Sequence, residues 1–510
     1  MSQIKVEGLT FAYPGSHDNI FEDVSFQFDT DWKLGFIGRN GRGKTTFLKL
    51  LLGEYPYGGR ISASVPFAYF PFPVTDRSRP TREVLHSVSP EAQTWELVRE
   101  LGFLGVSEDV LERPFDTLSF GEQTKALLAV LFVGESRFLL IDEPTNHLDA
   151  EGRQRVSRYL RSKQGFLLVS HDRAFLDGCV DHVLSLNKTN LELQRGNFSS
   201  WLENKNRQDN FEAAQNEKLK KQIVRLEASA REKAGWADAV EKTKFGTKNS
   251  GLRPDRGYLG HKSAKMMQRS KAIAQRRQDA AEEKSQLLRN IEQADALRVS
   301  QLPYRAPRLV SLDHVSIAYG EKAVCTDVSF TVERGDRIAL LGRNGSGKSS
   351  VLKLICGQDV PYTGSLQVGG GLKISYVSQD TSFLRGSLSD LARESGIDES
   401  LFKTILRKLD FERIQFEKDM AQFSGGQKKK VLIARSLCEA SNLLVWDEPL
   451  NFVDVISRMQ IETLLLSCRP TILFVEHDRI FAEKIATKSV FLETPALPPQ
   501  ERQKARPDAL

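Results

Sequence analysis

GRNGRGKTT at Gly38–Thr46 and GRNGSGKSS at Gly342–Ser350 are one pattern written twice, 304 positions apart at the lysines. Both satisfy G-x-x-x-x-G-K-[ST]. In such a loop the glycines let successive backbone N–H groups turn inward and cradle phosphates, while the lysine adds a point charge. The first copy offers Gly38, Arg39, Asn40, Gly41, Arg42, Gly43, Lys44, Thr45 and Thr46 to a nucleotide. The second offers Gly342, Arg343, Asn344, Gly345, Ser346, Gly347, Lys348, Ser349 and Ser350. Lys44 and Lys348 face the β/γ-phosphates, and the Thr45 and Ser349 hydroxyls take a place on Mg²⁺. Each loop lies between a short apolar run (Leu34–Ile37, Ile338–Leu341) and a helix-like stretch (Thr46–Leu52, Ser350–Cys356). That strand–loop–helix context is what a phosphate loop requires.

Working outward, three further blocks recur in the same order. LSFGEQTKALLA (Leu118–Ala129) returns as FSGGQKKKVLIA (Phe423–Ala434), FLLIDEPTNHLD (Phe138–Asp149) as LLVWDEPLNFVD (Leu443–Asp454), and LLVSHDRAFL (Leu167–Leu176) as LFVEHDRIFA (Leu473–Ala482). Four blocks at one offset define a duplicated domain. Short apolar runs such as Phe138–Ile141 and Phe166–Val169, each followed by a polar helix-like stretch, read as buried parallel strands, so each copy is α/β.

Asp142 and Asp447 end apolar runs, where a carboxylate beside the phosphate loop holds Mg²⁺ through water. The adjacent Glu143 and Glu448 are the candidate general bases that polarise the attacking water. An acidic pair after a strand is in other settings a helix cap; its recurrence downstream of both loops gives it the catalytic reading. His171 and His477 follow further apolar strands in matching HDR tripeptides and are candidates to contact the γ-phosphate. Tyr13 and Tyr319, near the start of each copy, are candidates to stack on adenine, or else core tyrosines at strand ends.

Composition bounds the rest. The 510 residues are 40% hydrophobic and 27% charged, and the longest apolar run, Ala126–Val133, is far short of the ~18–20 residues a membrane helix needs. The N-terminus MSQIKVEGLT has no apolar signal core. Five scattered cysteines without C-x-x-C argue against a disulfide or zinc framework and for a reducing, cytoplasmic setting. The net charge of +6 is unevenly spread: Lys242–Arg277 holds 11 Lys/Arg against one acid, Asp255. Such a block points at a polyanion, either nucleic acid or an anionic membrane surface. Around it, Leu219, Ile223, Leu226 and Ala230, then Ile273, Ala280, Leu287 and Ala294, form narrow coiled-coil-like stripes. GTKNSGLRPDRGYLG (Gly246–Gly260) interrupts both stripes. The pattern predicts a long antiparallel helical hairpin with a basic tip. Lys242, Lys244, Lys248, Arg253, Arg256, Lys262, Lys265, Arg269 and Lys271 are its candidate RNA contacts, with Phe245 interleaved to stack on bases.

Together these blocks resemble the ATP-binding cassette superfamily in its ABC-F branch, over residues 1–490. The resemblance implies two tandem cassettes closing head to tail over two ATPs. Site one then joins Lys44, Thr45, Asp142, Glu143 and His171 to Ser424, Gly425, Gly426 and Gln427. Site two joins Lys348, Ser349, Asp447, Glu448 and His477 to Ser119, Gly121 and Glu122. The implied domains are cassettes over 1–200 and 305–493, a hairpin linker over 201–304 and a disordered tail over 494–510. Three departures stand out. Phe72 occupies the position of the Mg²⁺-linked glutamine that the second copy keeps as Gln379, Phe120 replaces a signature glycine, and Leu450 and Phe452 replace the polar pair Thr145 and His147. The two sites are therefore chemically unequal.

ABC-F proteins act on the bacterial ribosome, their linker entering the 50S tRNA exit site toward ribosomal RNA, the P-site tRNA and the peptidyl-transferase centre. Lys242–Ile273 and the DEPLNFVD variant resemble the Vga/Lsa-type antibiotic-resistance branch. This implies an ATPase, a monomer with intramolecular cassette pairing, that protects ribosomes from lincosamides, streptogramins A and pleuromutilins. The alternatives are a housekeeping ABC-F translation factor and, against the absence of any membrane segment, the motor subunit of an exporter.

Overall fold

The computed structural model describes residues 2–14, 19–134, 137–146, 148–187, 190–212, 301–320, 322–411 and 413–493, with isolated positions between 214 and 221. Met1–Trp201 and Leu297–Leu510 make one compact unit and Leu202–Ala296 a second. The expected hairpin, its basic tip, all ten candidate RNA contacts and the tail over 494–510 lie outside the described residues; residues 198–212 are helical.

In the first cassette, β3 (Lys33–Gly38), β5 (Phe67–Phe70), β6 (Phe138–Asp142), β7 (Phe166–Val169), β8 (His182–Leu186) and β9 (Leu191–Arg195) form a sheet ordered β5-β6-β7-β3-β8-β9. All its pairings are parallel except β8–β9. β6 and β7 read FLLI and FLLV and are buried on both faces, which is why they lack polar alternation. A smaller antiparallel sheet, with β1 (Gln3–Phe11) between β2 (Phe21–Asp29) and β4 (Gly58–Ser62), packs its apolar face on the first helix, α1 (Lys44–Leu51).

The second cassette repeats the plan. β12 (Arg337–Leu341), β14 (Ile374–Val377), β15 (Leu443–Asp447), β16 (Ile472–Val475) and β17 (Lys488–Phe491) run in the order β14-β15-β16-β12-β17. β10 (Arg308–Tyr319), flanked by β11 (Lys322–Glu333) and β13 (Tyr362–Val368), supplies the antiparallel sheet. Trp446 is fully buried in this cassette, its indole N–H donating to Ser436 Oγ at 2.9 Å.

The fold class is as expected from the sequence: two tandem α/β cassettes. Local boundaries differ in one instructive way. The helices after the phosphate loops start two residues earlier than the apolar periodicity suggests, at Lys44 and Lys348. Gly43 (φ 100°) and Gly347 (φ 85°) act as left-handed N-caps, so the lysine is already the first helical residue. A Cβ on Gly43 would lie 2.5 Å from Ile20 Cγ2, so the loop needs glycine there for space as well as conformation.

Candidate functional site

Each phosphate loop leaves the carboxyl end of an interior strand, β3 or β12, where an open parallel sheet binds ligands. Gly41 and Gly345 have φ of 81° and 80°, and a Cβ added to either meets nothing within 4 Å, so these loops curl around open space. Lys44 Nζ folds back on the Gly38 and Arg39 carbonyls at 2.7 and 3.1 Å. Lys348 Nζ does the same on Gly342 and Arg343 at 2.9 and 2.8 Å. Burial pulls the Lys44 pKa down, against the opposing charges of Asp454, Glu143 and Asp142.

Thr45 Oγ1 donates to Asp142 Oδ2 and Ser349 Oγ to Asp447 Oδ1, both at 3.0 Å. A hydroxyl and a carboxylate at that spacing are hard oxygen donors. They fit Mg²⁺, which keeps waters and takes its remaining positions from phosphates. Gln379 is turned elsewhere: its amide donates to Glu448 Oε2 at 2.9 Å. Phe72, its counterpart, is half-buried. Tyr69, to which the sequence reading gave no role, donates its hydroxyl to Asp142 Oδ2 at 3.2 Å.

The two candidate bases share a strained backbone, with φ of 51° at Glu143 and 46° at Glu448. Their side chains differ. Glu448 accepts from Gln379, from Asn451 Nδ2 at 2.5 Å, and stands 3.2 Å from His477 Nε2. Burial alone would raise its pKa, but His477, Asn451 and Lys348 together hold it below the ordinary range. Glu143 Oε1 is buried without a hydrogen bond, its nearest partner being His171 Nε2 at 3.3 Å. Burial, reinforced by Asp142, pushes Glu143 up to about 8. Burial, with Lys44 and Arg458, pushes His171 well down. The two environments thus pull the bases apart, that of Glu448 favouring the ionised form and that of Glu143 the protonated one. The unpaired Oε1 leaves room in the bonding pattern for a water that donates to it at site one.

Both signature segments begin helices. Ser119 caps the helix Phe120–Leu131 and Ser424 the helix Gly425–Cys438, each in a reciprocal capping box with Glu122 or Gln427. Their N-terminal turns, with the positive end of the helix dipole, make anion sites. Ser119, Gly121 and Glu122 line one cavity of about 1090 Å³ together with Lys348, Ser349, Glu448 and His477. The structure thus brings the residues expected at site two into one chamber, Phe120 on its wall. Asp447 reaches it through Ser349. At site one, Gly426 approaches Asn40, whose Nδ2 donates to the Phe452 carbonyl at 2.6 Å. Gly425 packs toward the Phe452 ring. Of the departures, Leu450 is a core residue, whereas Phe452 (φ 63°) is half exposed and supplies that cross-cassette carbonyl. The Tyr13 and Tyr319 rings are partly exposed, their hydroxyls 2.8 and 3.2 Å from Thr46 and Ser350 at the loop.

Sequence reasoning passed over Asp149 and Asp454, which close the DEP blocks. Each caps a helix and also acts across the cassette boundary: the charge of Asp454 is felt by Lys44 and His171, that of Asp149 by Lys348. Their place at a fixed distance from Glu143 and Glu448 was the available signal.

Known proteins agree with this geometry. Residues 21–146 and 325–451 each match the ABC transporter family model. The chain is 30% identical over 492 residues to the ATP-binding protein Uup of Caulobacter vibrioides, covering 93% of this chain and 75% of that one. It is 27% identical over 495 residues to the ribosome protection protein VmlR of Bacillus subtilis (94% and 85% covered). It is 26% identical over 522 residues to the energy-dependent translational throttle protein EttA of Escherichia coli (92% and 88% covered). Among solved structures, archaeal ribosome recycling factor aABCE1, in its complex with stalk protein aP1, shares the fold with a TM-score of 0.62 at 19% identity, covering 96% of this chain and 88% of that one. The chain belongs to the ATP-binding-cassette family, in its ABC-F branch, and is an ATPase. Among the described residues no helix is long and apolar enough to cross a membrane.

Proposed function

We propose that this chain is a cytoplasmic, ribosome-binding ATPase that protects the peptidyl-transferase centre from lincosamide, streptogramin A and pleuromutilin antibiotics by inserting its linker, residues 201–304, through the tRNA exit site. The ATP half of the reading is carried by the chamber that joins Ser119 and Gly121 to Lys348, Ser349 and Glu448. Closure of the cassettes brings the signature-helix N-terminus and the phosphate loop onto opposite sides of the γ-phosphate. Glu448 then accepts the proton of the attacking water while His477 orients that carboxylate. Ser349 and Asp447 would hold Mg²⁺, which would supply positive charge against the negative charge that builds up on the phosphates.

The ribosome half is supported by 11 Lys/Arg against one acid in Lys242–Arg277 and by similarity along the chain to a protein named for ribosome protection. Neutralising RNA phosphates releases counterions, so such a segment binds in a salt-dependent way. The similarity to Uup and EttA favours a second reading, a translation factor without resistance activity.

The test has two arms. The Glu143→Gln/Glu448→Gln variant, which closes on ATP without hydrolysing it, should cosediment with ribosomes in ATP. Replacing Lys262, Lys265, Arg269 and Lys271 together should flatten the salt dependence of that binding, by roughly one in slope per lost phosphate contact. Expression in a drug-sensitive bacterium should raise the inhibitory concentration of at least one of the three drug classes. Ribosome binding without any such rise selects the translation-factor reading, and no ribosome binding rejects both.

A further inference from the structure

The two phosphate loops are held differently by the opposite cassette. Arg39 and Arg42 of the first loop both face Asp410, the former in direct ion-pair contact and the latter at 3.8 Å. Asp410 follows the helix Glu399–Lys408 of the second cassette. Its counterpart in the first cassette is Gly105, after the helix Thr94–Leu104. The two helix ends match in detail. Asp410 N donates to Arg407 O and Gly105 N to Gly102 O, both at 3.0 Å, and φ is 65° and 64°.

Site two therefore has no carboxylate where site one has one. Its loop carries Arg343 and, in place of Arg42, Ser346. Arg343 is exposed, lines the site-two chamber and forms no ion pair among the described residues. The space beside Gly105 is filled by the Arg155 guanidinium, which takes the place a Cβ would occupy. Arg155, which is paired with Glu151 at 3.3 Å, and Arg343 both line that chamber.

We propose that Asp410 is a positioning residue that latches the first phosphate loop to the second cassette, so that site one releases nucleotide slowly while site two exchanges. This rests on the reading of both loops as ATP sites. The latch acts on the wall of the site and touches no reacting atom. It has to break before the first loop can swing away from the second signature helix, whereas at site two Gly105 stands where the latching carboxylate would be. Two partly exposed ion pairs slow that opening by about five-fold.

The probe is a fluorescent ATP analogue with Mg²⁺, loaded on the full chain and chased with excess ATP in stopped flow. Two release phases are expected, the slow one absent in Lys44→Ala and the fast one absent in Lys348→Ala. Asp410→Gly copies the residue that the first cassette carries at the same φ, so the helix end is not strained. Asp410→Asn keeps the shape and loses the charge. Both should speed the slow phase about five-fold and leave the fast phase alone. Rising salt should speed the slow phase in the parent and have little further effect in Asp410→Asn. An unchanged slow phase in both Asp410 variants, or a single phase in the parent, overturns the latch while leaving ATP binding intact. No analogue binding at all overturns the ATP-site reading and the latch with it.

Discussion

Arg173 is the residue whose removal should cost the paired cassettes most. It lies two positions after His171 in the first cassette, is 2% exposed, and crosses into the second. There its guanidinium grips both oxygens of Glu462 and stands 3.6 Å from Asp478 Oδ2. Glu462 and Asp478 are themselves buried. Removing one member of a buried pair strands the other and typically costs about 3–5 kcal/mol. Glu462 retains Lys484 at 3.4 Å and Asp478 retains Arg458 at 3.2 Å, so Arg173→Met belongs at the lower end, about 3 kcal/mol. The counterpart in the second cassette, Arg479, is exposed and, among the described residues, pairs only with Glu483 four residues on, so Arg479→Met should cost far less than Arg173→Met. Urea denaturation followed by tryptophan fluorescence gives both numbers, read as midpoint shifts at constant slope. Arg173→Met/Glu462→Met removes both charges and should recover most of the loss. Equal destabilisation by Arg173→Met and Arg479→Met, or strict additivity in the double variant, would refute the reasoning.

Glu143, raised to about 8, is mostly protonated at neutral pH and gains its base form as pH rises; Glu448, held low, is ionised throughout. ATPase of Glu448→Gln, which leaves site one, should therefore climb between pH 6.5 and about 8.5, while that of Glu143→Gln stays flat; matching profiles would show that the glutamate environments do not differ. Tyr69→Phe removes a donor to Asp142 and should raise the Mg²⁺ concentration needed for half-maximal turnover of Glu448→Gln about three-fold, with no change in Glu143→Gln.

What was legible in the sequence was local chemistry. Lys44, Asp142 and His171 were found because each sits at a strand end with a fixed neighbourhood, and the second copy repeated the message. The parallel strands were legible because burial on both faces leaves runs such as FLLI and FLLV. Pairing across cassettes was implied by resemblance alone. Nothing in the spacing could link Arg173 to Glu462, 289 positions away, since a lone arginine and a lone glutamate read as solvated surface. Asp410 was invisible for the same reason: an acid after a helix end has no pattern until the arginines opposite are seen. Tyr69 belongs to no motif, and its hydroxyl matters only because β5 lies beside β6, which carries Asp142. The helix starts were missed because the glycine cap, rather than apolar periodicity, sets them.

Glu143 and Glu448 sit in left-handed backbone, pinned there by their N–H bonds to the Val169 and Val475 carbonyls at 2.9 and 3.1 Å. That conformation costs a residue with a side chain about 1–2 kcal/mol, and glycine or asparagine would relieve it. At these two positions the stability optimum and the catalytic optimum are different amino acids. A laboratory selection that rewards only heat resistance would drift toward asparagine or glycine there and yield sturdier, inert protein. Thermostabilised variants should therefore be screened for turnover at every round, with positions 143 and 448 held fixed.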